Sequence, residues 1–375
     1  MKAIKLFAIA ALTLGMMACN KKEDSNVIPN EGTQATLSIK VDAGSQLRAL
    51  GASPADGDVK SLEVYVYAGD LLEGYKKVEN TSEAVDINVT TGERKLVVVA
   101  NANLGKINSL TELQEIALRD KVVMVEPSGD DQVGVAMTAE PQTITIKAGK
   151  NTYGFGAGEG SISSDPLQLV KVPARISLVG ASTSFEGAFA GWTFEPSEVF
   201  VFNVPNSSRL FGPSLELVEM GRYAGMKQDS WTGDLWVPSQ VVKEVLRDEV
   251  SDLSSITPNN FIYYHSFESI DKPVVLVIRG KLKDDSGQLV KGAPFADDNG
   301  YTHYSILVNA ERSGYAYNGD DTGTGNLKRN TDYRISVVIK RPGTSDPTTP
   351  PADAATLDVK VAVTPWLTVN QNIEY

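Results

Sequence analysis

Few side chains in this sequence are of the types that perform chemistry. His265 and His303 are the only histidines among 375 residues, and each stands in an aromatic run typical of a packed strand. A Ser-His-Asp triad or a His-rich metal site has almost no raw material here. No pair of acids is placed by a recognisable catalytic motif. The sequence therefore predicts a protein that is not an enzyme and that carries no cofactor.

Three other patterns could bind a ligand, and for each of them a plainer interpretation is favoured. The run Gly154–Gly160 lacks the Lys-Ser/Thr ending of a phosphate loop, so it predicts a glycine-rich turn. The acidic runs at 297–300 and 320–323 could hold Ca²⁺ weakly, but neither has EF-hand spacing. Trp231 and Trp236 could form an exposed platform for a sugar, although core packing is the more common use of two such rings.

Cys19 is the only cysteine, and it directly follows a segment typical of export. Two lysines precede an apolar run from Leu6 to Met17, which is too short to span a bilayer as a permanent helix. The sequence Leu-Gly-Met-Met-Ala before the cysteine resembles a bacterial lipobox. It predicts a cleaved signal peptide over residues 1–18 and a lipid on Cys19. An ordinary signal peptide with an incidental cysteine is the alternative.

Charge and length narrow the class of protein further. The formal net charge is −12, whereas a nucleic-acid surface needs clustered Lys and Arg, so nucleic acid is excluded as a partner. With one cysteine, no disulfide can form within the chain. Hydrophobic residues make up 42% of 375 residues, which suits two domains with ordinary interiors.

The pattern along the chain is that of strands separated by turn residues. A polar tether at 20–34 comes first, and apolar β-rich or alternating runs follow it at 35–43, 61–67, 84–90, 95–101, 120–125, 133–138, 142–147, 174–179, 198–204, 273–281, 303–309 and 332–340. Two stretches, Leu110–Arg119 and Ser239–Glu249, are predicted to be helical. The interpretation is an all-β protein of two β-sandwich domains with small helical insertions, divided near residue 168 at the turn signal Asp165-Pro166.

The C-terminal tail has an alternation that is too long for an ordinary strand. From Leu357 to Tyr375 the odd positions are apolar apart from Gln371, and the even positions are polar apart from Ala362 and Trp366. Such a ribbon would extend about 60 Å at ~3.3 Å per residue. Pro365 cannot donate to a sheet, so the tail divides into two consecutive strands. A Pro-rich stretch at 341–355 precedes it and predicts a semi-rigid spacer.

Two interpretations of this tail are open. The tail could fold into the chain's own sheet, or it could be a donor strand that completes another molecule, which the spacer favours. The predicted donor residues are Leu357, Val359, Val361, Val363, Trp366, Leu367, Val369, Ile373 and Tyr375.

A matching acceptor is predicted at the other end of the chain. Leu37, Ile39 and Val41 alternate with polar residues and resemble the tail in period and face. The small-residue loop that follows contains Arg48 before Ala49, and an exposed loop of this kind is a good protease site. A cut after Arg48 would free the first strand and leave a hydrophobic groove. A neighbour's tail could fill that groove by β-strand addition and so build an open filament.

Several stretches then identify a family. The chain resembles the FimA-type major fimbrial subunits, or fimbrillins, of Porphyromonas and related Bacteroidales over nearly its whole length. The most specific stretches are Ala136-Met-Thr-Ala-Glu-Pro141, Lys147-Ala-Gly-Lys-Asn151, Asp165-Pro-Leu167 leading to Ala174-Arg-Ile176, Leu210-Phe-Gly212 and Val361-Ala-Val-Thr-Pro-Trp366.

The resemblance implies two transthyretin-like sandwiches in a lipoprotein precursor anchored at the outer membrane and exposed on the surface. It also implies cleavage by an Arg-specific surface protease, with Arg48 and Ala49 at the cut and Cys19 as the lipidated residue. Donor-strand exchange would then join the chain to other copies of itself and to related pilus subunits in an adhesive fimbrium. The implied organisation is a lipidated tether with a removable strand (19–48), two sandwiches (49–167 and 168–340) and a spacer with its donor tail (341–375).

Other functions predict different behaviour. A monomeric surface lipoprotein that binds a glycan or a host protein would keep its tail in its own sheet, and cleavage at Arg48 would change nothing. A tip or anchor component of the pilus is a closer alternative. The adhesion receptor, host or bacterial, is not named by any residue pattern.

Overall fold

A computed structural model describes residues 32–43, 58–119, 134–212, 221–270, 272–311, 315–318, 323–349 and 356–365. Within these ranges the protein is nearly all β, as the alternating patterns predict. One short helix, α1 (Leu110–Glu115), begins at Ser109, whose side chain accepts a hydrogen bond from the Glu112 amide.

The N-terminal unit is a sandwich of two sheets. Its strands are β1 (Gln34–Asp42), β2 (Ser61–Ala68), β3 (Leu71–Glu79), β4 (Glu83–Thr90), β5 (Gly92–Ala100), β6 (Ala117–Arg119), β7 (Met137–Thr138), β8 (Gln142–Ile146), β9 (Gly149–Tyr153), β10 (Ser161–Ser163), β11 (Leu167–Gln168) and β12 (Val170–Lys171). One sheet contains β10, β9, β1, β11 and β4, and the other contains β12, β7, β5, β2, β3 and β8. Apolar side chains from both sheets form one buried core.

The C-terminal unit is a second sandwich. Its strands are β13 (Ala174–Thr183), β14 (Thr193–Phe202), β15 (Val204–Pro205), β16 (Ser207–Arg209), β17 (Arg222–Ala224), β18 (Val241–Val242), β19 (Arg247–Glu249), β20 (Ile262–Ser266), β21 (Val275–Lys283), β22 (Tyr301–Leu307), β23 (Tyr315–Asn318), β24 (Thr331–Ile339) and β25 (Leu357–Pro365). The order β20-β13-β24-β25-β23 makes one sheet and β19-β14-β21-β22 the other, around a common core.

The two units meet at a junction with its own apolar cluster. Tyr65 and Tyr67 of the first unit pack there with Leu210 and Phe267 of the second. β6 pairs with β16 across the junction. We call the opposite extremity of each sandwich its outer end. The N-terminal outer end holds the start of β1, β5 and β9, and the C-terminal outer end holds the finish of β13, β21 and β24.

Strand pairing changes from one unit to the other between Lys171 and Ala174, a few residues after the boundary predicted near residue 168. The helix predicted over Leu110–Arg119 forms only to Glu115 and is followed by β6. The predicted run at 120–125 lies outside the described residues.

The helix predicted over Ser239–Glu249 is wrong. This stretch forms β18, a single 3-10 turn and β19. Leu246 enters the core, whereas Val241 and Val242 are exposed and pair with β17. Apolar residues at helical spacing therefore point in different directions, and β-branched side chains lower the cost of the extended backbone. No helix within the described ranges is long and apolar enough to cross a membrane.

Candidate assembly site

The first strand lies inside its sheet with neighbours along both edges. β1 pairs antiparallel with β4, from Gln34 opposite Thr90 to Lys40 opposite Glu83. On its other edge it runs parallel to β9 over residues 35–39 and to β11 at its last two residues. We call the space that β1 fills the β1 slot. Both walls of this slot present backbone groups that are satisfied by β1, so a vacant slot would be a template for an incoming strand.

One face of β1 lies wholly in the core. Leu37 and Ile39 are 0% exposed and Val41 is 3% exposed, while the residues between them face outward. Burial of these three side chains contributes of order 5–9 kcal/mol, at about 1.5–3 kcal/mol each. The alternation seen in the sequence therefore corresponds to the real core face of this strand.

Sequence reasoning missed parts of the slot wall. β9 (Gly149–Tyr153) shows no alternation of apolar residues, so nothing in its sequence predicted a strand. Its Asn151 is 1% exposed, and the side-chain amide donates to the backbone oxygens of Thr36 and Lys147, at 3.3 and 2.8 Å. The burial of Asn151 is visible only in the folded chain, where its amide satisfies backbone oxygens that would otherwise lack a donor.

The covalent connections of β1 fall outside the described residues at both ends. Residues 1–31 precede the described chain, and residues 44–57 separate Ala43 from Asp58. The predicted lipidation and cleavage residues, Cys19, Arg48 and Ala49, all lie in these segments. No described strand other than β1 belongs to the stretch before residue 58.

The first half of the predicted donor tail is in its own sheet. β25 pairs antiparallel with β24 over nine residues, from Leu357 opposite Ile339 to Pro365 opposite Thr331. On its other edge it runs parallel to β23. The predicted apolar face is buried, with Leu357 at 5%, Val359 at 0% and Val361 at 1% exposure.

This arrangement differs from the free tail that the spacer suggested. Backbone alone is described for Val363, and the remaining predicted donor residues lie outside the described residues, namely Trp366, Leu367, Val369, Ile373 and Tyr375. β25 lies between two neighbouring strands of the C-terminal sheet, as β1 does in the N-terminal sheet, and each contributes alternate aliphatic side chains to its core.

The spacer prediction is wrong for residues 341–349, which we call the strap. The strap is packed against the C-terminal unit, and Thr348 is 0% exposed. The Gly233 amide donates to the Thr348 hydroxyl oxygen at 2.7 Å, and the Leu235 amide donates to the Thr348 carbonyl at 3.0 Å. Prolines remove donors but keep acceptors, so a Pro-rich segment can dock by accepting bonds. Composition alone could not show the partner.

His303 of β22 also forms hydrogen bonds with the strap. Its backbone amide and carbonyl exchange hydrogen bonds with Thr344, at 2.9 and 3.0 Å, and its Nδ1 lies 3.2 Å from the Thr344 carbonyl oxygen. The side chain is 0% exposed, and burial lowers the pKa of His303 to about 4. His303 is therefore a buried, neutral imidazole that packs against the strap, which is the role predicted for a strand histidine.

The remaining candidate ligand sites are structural. Trp231 is 4% exposed and stacks on Phe200 with ring centroids 5.7 Å apart, so it belongs to the core and offers no sugar platform. The run Gly154–Gly160 is a turn whose amides bond to neighbouring carbonyls. The Asp297 carboxylate accepts from two amides of its own turn.

The acidic run at 320–323 begins outside the described residues, and His265 lies in β20 beside Tyr263, with ring centroids 5.5 Å apart. Among the residues that the structure describes, no group of three or more His, Cys, Asp or Glu side chains is placed to hold a metal ion.

Comparison with known proteins gives a consistent result along the chain. A family model described as major fimbrial subunit protein (FimA) matches residues 35–171, and one described as FimA4 pilin C-terminal domain matches residues 192–366. A major fimbrium subunit FimA type-2 of Porphyromonas gingivalis is 30% identical over 391 residues, covering 99% of both chains.

A type-3 subunit of the same organism is 28% identical over 393 residues and covers 100% of both chains. Among solved structures, a fimbrilin from P. gingivalis W83 superimposes with a TM-score of 0.76 at 28% identity, over 90% of this chain and 99% of that one. The fold of this chain is therefore shared with that fimbrilin over 90% of its length.

Proposed function

Because the chain belongs to the FimA family of fimbrial structural subunits, which are not enzymes, we propose that it is the repeating subunit of a cell-surface fimbrium and that its copies join by exchange of strands. The observation that carries the proposal is the pair of matched strands at its two ends. β1 and β25 each lie between two neighbouring strands of a sandwich, and each buries alternate aliphatic side chains. In this proposal β1 leaves its slot, and the tail of another copy fills it.

The proposed sequence begins with export. The signal peptide over residues 1–18 is removed and Cys19 receives lipid, which holds the precursor on the outer membrane. An Arg-specific surface protease then cuts between Arg48 and Ala49. Since residues 44–57 connect β1 to the rest of the described fold, the cut leaves β1 bound to that fold by non-covalent contacts alone.

An empty β1 slot is costly enough to drive assembly. Loss of Leu37, Ile39 and Val41 from the core removes about 5–9 kcal/mol of burial. A whole domain has a net stability of about 5–15 kcal/mol, so a cut subunit is under strong pressure to bind a replacement strand. The tail carries two consecutive segments with the same apolar-polar alternation, divided at Pro365. To insert its first segment into another copy, the tail must leave the position that β25 occupies in its own sheet.

The direction of β1 supports head-to-tail joining. β1 runs from the N-terminal outer end toward the junction. The tail begins at the C-terminal outer end, where Leu357 pairs with Ile339. If the tail is released at 350–355, it leaves one copy at this end and enters the next copy along the direction of β1. Such a contact does not close on itself and extends as a filament.

The position of β25 also suits a monomer, and this keeps a second function in view. A surface lipoprotein that binds a glycan or host protein would hold its tail in its own sheet permanently. In the assembly proposal the same position stores the donor strand, because an exposed apolar strand would aggregate before assembly. The full-length relationship to major fimbrial subunits favours storage. Adhesion to host or bacterial receptors, and contact with tip and anchor subunits, are part of this proposal.

Brief digestion with an Arg-specific protease tests the proposal. The full chain carrying Cys19→Ser would be cut, run unboiled on a denaturing gel and sequenced from its new N-terminus. We expect a ladder of resistant multimers that begin at Ala49. Arg48→Gln removes the cut and deletion of 357–375 removes the donor, so neither variant should form a ladder.

Deletion of 366–375 alone shows which strand of the tail fills the slot. A retained ladder assigns the slot to 357–365, and a lost ladder assigns it to the last ten residues. A clean cut after Arg48 that yields only monomer would instead favour the monomeric lipoprotein.

A further inference from the structure

Three aromatic rings form a cluster at the C-terminal outer end that none of the described cores uses. Phe189 and Trp192 meet at a centroid distance of 5.1 Å, Phe189 and Phe295 at 5.7 Å, and Trp192 and Phe295 at 6.2 Å. All three contacts are edge-to-face, a favourable geometry for aromatic pairs. Each ring remains half-buried, and none belongs to the four apolar clusters of the molecule. We call these three residues the aromatic patch.

The two loops that carry the rings have small uncharged side chains, and the charged residues Glu186 and Asp285 lie at their edge. The loops at 187–191 and 293–294 carry only exposed glycine, alanine and proline around the rings, namely Gly187, Ala188, Ala190, Gly191, Ala293 and Pro294. Large rings in the centre with little side-chain bulk around them allow a second surface to approach closely. Interfaces between proteins concentrate their binding energy in such aromatic centres and are depleted of charge there.

The aromatic patch lies beside the point where the tail begins. The Ser184 amide donates to the Ile339 carbonyl at 2.7 Å, and the Glu186 amide donates to the Lys340 carbonyl at 3.1 Å. The Lys340 amide in turn donates to the Thr356 carbonyl at 3.0 Å, directly before β25. A tail released at 350–355 is then held by the strap alone, and the Ser345 amide of the strap donates to the Pro294 carbonyl beside these rings at 3.2 Å.

The opening of the β1 slot lies at the other extremity of the molecule. Gly149 pairs with Ala35 at the start of β1, and the Thr91 amide donates to the Thr33 carbonyl at 2.9 Å. The exposed turn Lys147-Ala148 stands beside this opening. It offers a small side chain between two lysines, Lys147 and Lys150, and lysine ammonium groups bind well over aromatic faces.

We propose that the aromatic patch of one copy packs against the 147–150 turn of the next copy, as a second interface beside the exchanged strand. This inference rests on the proposed function, because the tail must bridge the two copies. The tail from Thr356 to its end spans about 65 Å when extended, whereas the slot takes only about 30 Å of strand. The exchanged strand alone therefore leaves the two copies free to swing, and a packed contact between the outer ends fixes their angle.

Cross-linking between the two ends tests the contact without altering the rings. The full chain would carry Cys19→Ser, Ala190→Cys beside the aromatic patch and Ala148→Cys in the turn, and would be treated with a short bismaleimide after Arg-specific cleavage. We expect multimers that survive boiling. The matched control replaces Ala190→Cys with Val241→Cys, which is also exposed, at 55%, but lies on β18 away from the outer end. The control should give multimers only in unboiled samples.

A second variant measures the contribution of the rings. Trp192→Ser with Phe295→Ser should slow ladder formation about tenfold at equal concentration, since loss of central aromatic contacts weakens an interface by at least that factor. An unchanged melting temperature would show that the fold is intact. A normal ladder without cross-links between the outer ends would overturn the second interface and leave strand exchange standing. Absence of any ladder from the parent chain would overturn both.

Discussion

β1 and β25 have the same pattern of buried side chains but differ in how the chain connects them to the fold. Each lies inside a sheet and buries alternate aliphatic side chains, with Leu37 at 0% and Leu357 at 5% exposure. Residues 44–57 connect β1 to the rest of the described fold. β25 is preceded by the strap, whose Thr348 and Thr344 are bonded into the C-terminal unit. Equal burial therefore does not decide which strand can separate from the chain. In the proposed assembly a cut at Arg48 detaches β1, whereas β25 stays attached through the strap when it moves to another copy.

The largest expected effect comes from matched truncations in the two strands. Leu37→Ala and Leu357→Ala should each lower the free energy of unfolding of the uncut chain by about 2–5 kcal/mol, since each leaves a cavity in a core. After cleavage at Arg48 and removal of β1, Leu37→Ala should have no effect, whereas Leu357→Ala should still weaken the monomer. Urea unfolding of cut and uncut chains measures both.

Equal sensitivity of the cut monomer to the two substitutions would contradict the idea that β1 leaves. Leu357→Ala examined in the isolated monomer and in assembled multimers would sharpen the comparison further. A change confined to the monomer would mean that β25 has left its own sheet in the filament.

Acid should weaken the C-terminal unit first. The His303 pKa is held near 4 by burial, against 6.5 for a free imidazole. Above pH 6.5 the ring is neutral in both states, so it makes no difference to stability. As the pH falls from 6.5 to 4, the unfolded chain takes up a proton that the folded chain refuses. The free energy of unfolding should therefore fall by about 3 kcal/mol over this window.

His303→Asn offers an amide donor toward Thr344 and does not titrate, so it should flatten this loss. Thermal unfolding followed from pH 7 to pH 4 compares the two chains. The same slope in the variant and the parent would show that other groups cause the acid sensitivity.

The smallest of these effects concerns the strap itself. Thr348→Val keeps the shape but leaves the Gly233 amide without its hydroxyl acceptor, which should cost about 1–3 kcal/mol. Thr145→Val is the matched control, because Thr145 is exposed on β8 and its replacement should change stability little. Limited proteolysis near residues 341–349 reports whether the strap has loosened. Unchanged proteolysis and stability in Thr348→Val would show that the hydrogen bond to Thr348 does not help to hold the strap, and with it β25, in place.

The sequence by itself determined the local features of this protein. Alternation fixed the core faces of β1 and of Leu357–Val361, because a strand directs successive side chains to opposite faces whatever its neighbours are. Turn residues and β-branched runs determined the all-β class. The aromatic setting of His303 indicated a packed ring, and the structure confirms it.

Only the tertiary structure decided which strands became neighbours. The walls of the β1 slot come from β4, β9 and β11, and β25 pairs with β24 of its own unit. Composition made the strap a spacer, yet contacts with β22 and with Gly233 dock it. These outcomes depend on hydrogen bonds and burial between residues far apart in the chain, whose partners no local pattern specifies. Residue types thus determined which side chains of β1 and β25 face a core, and the fold determined which strands lie beside them.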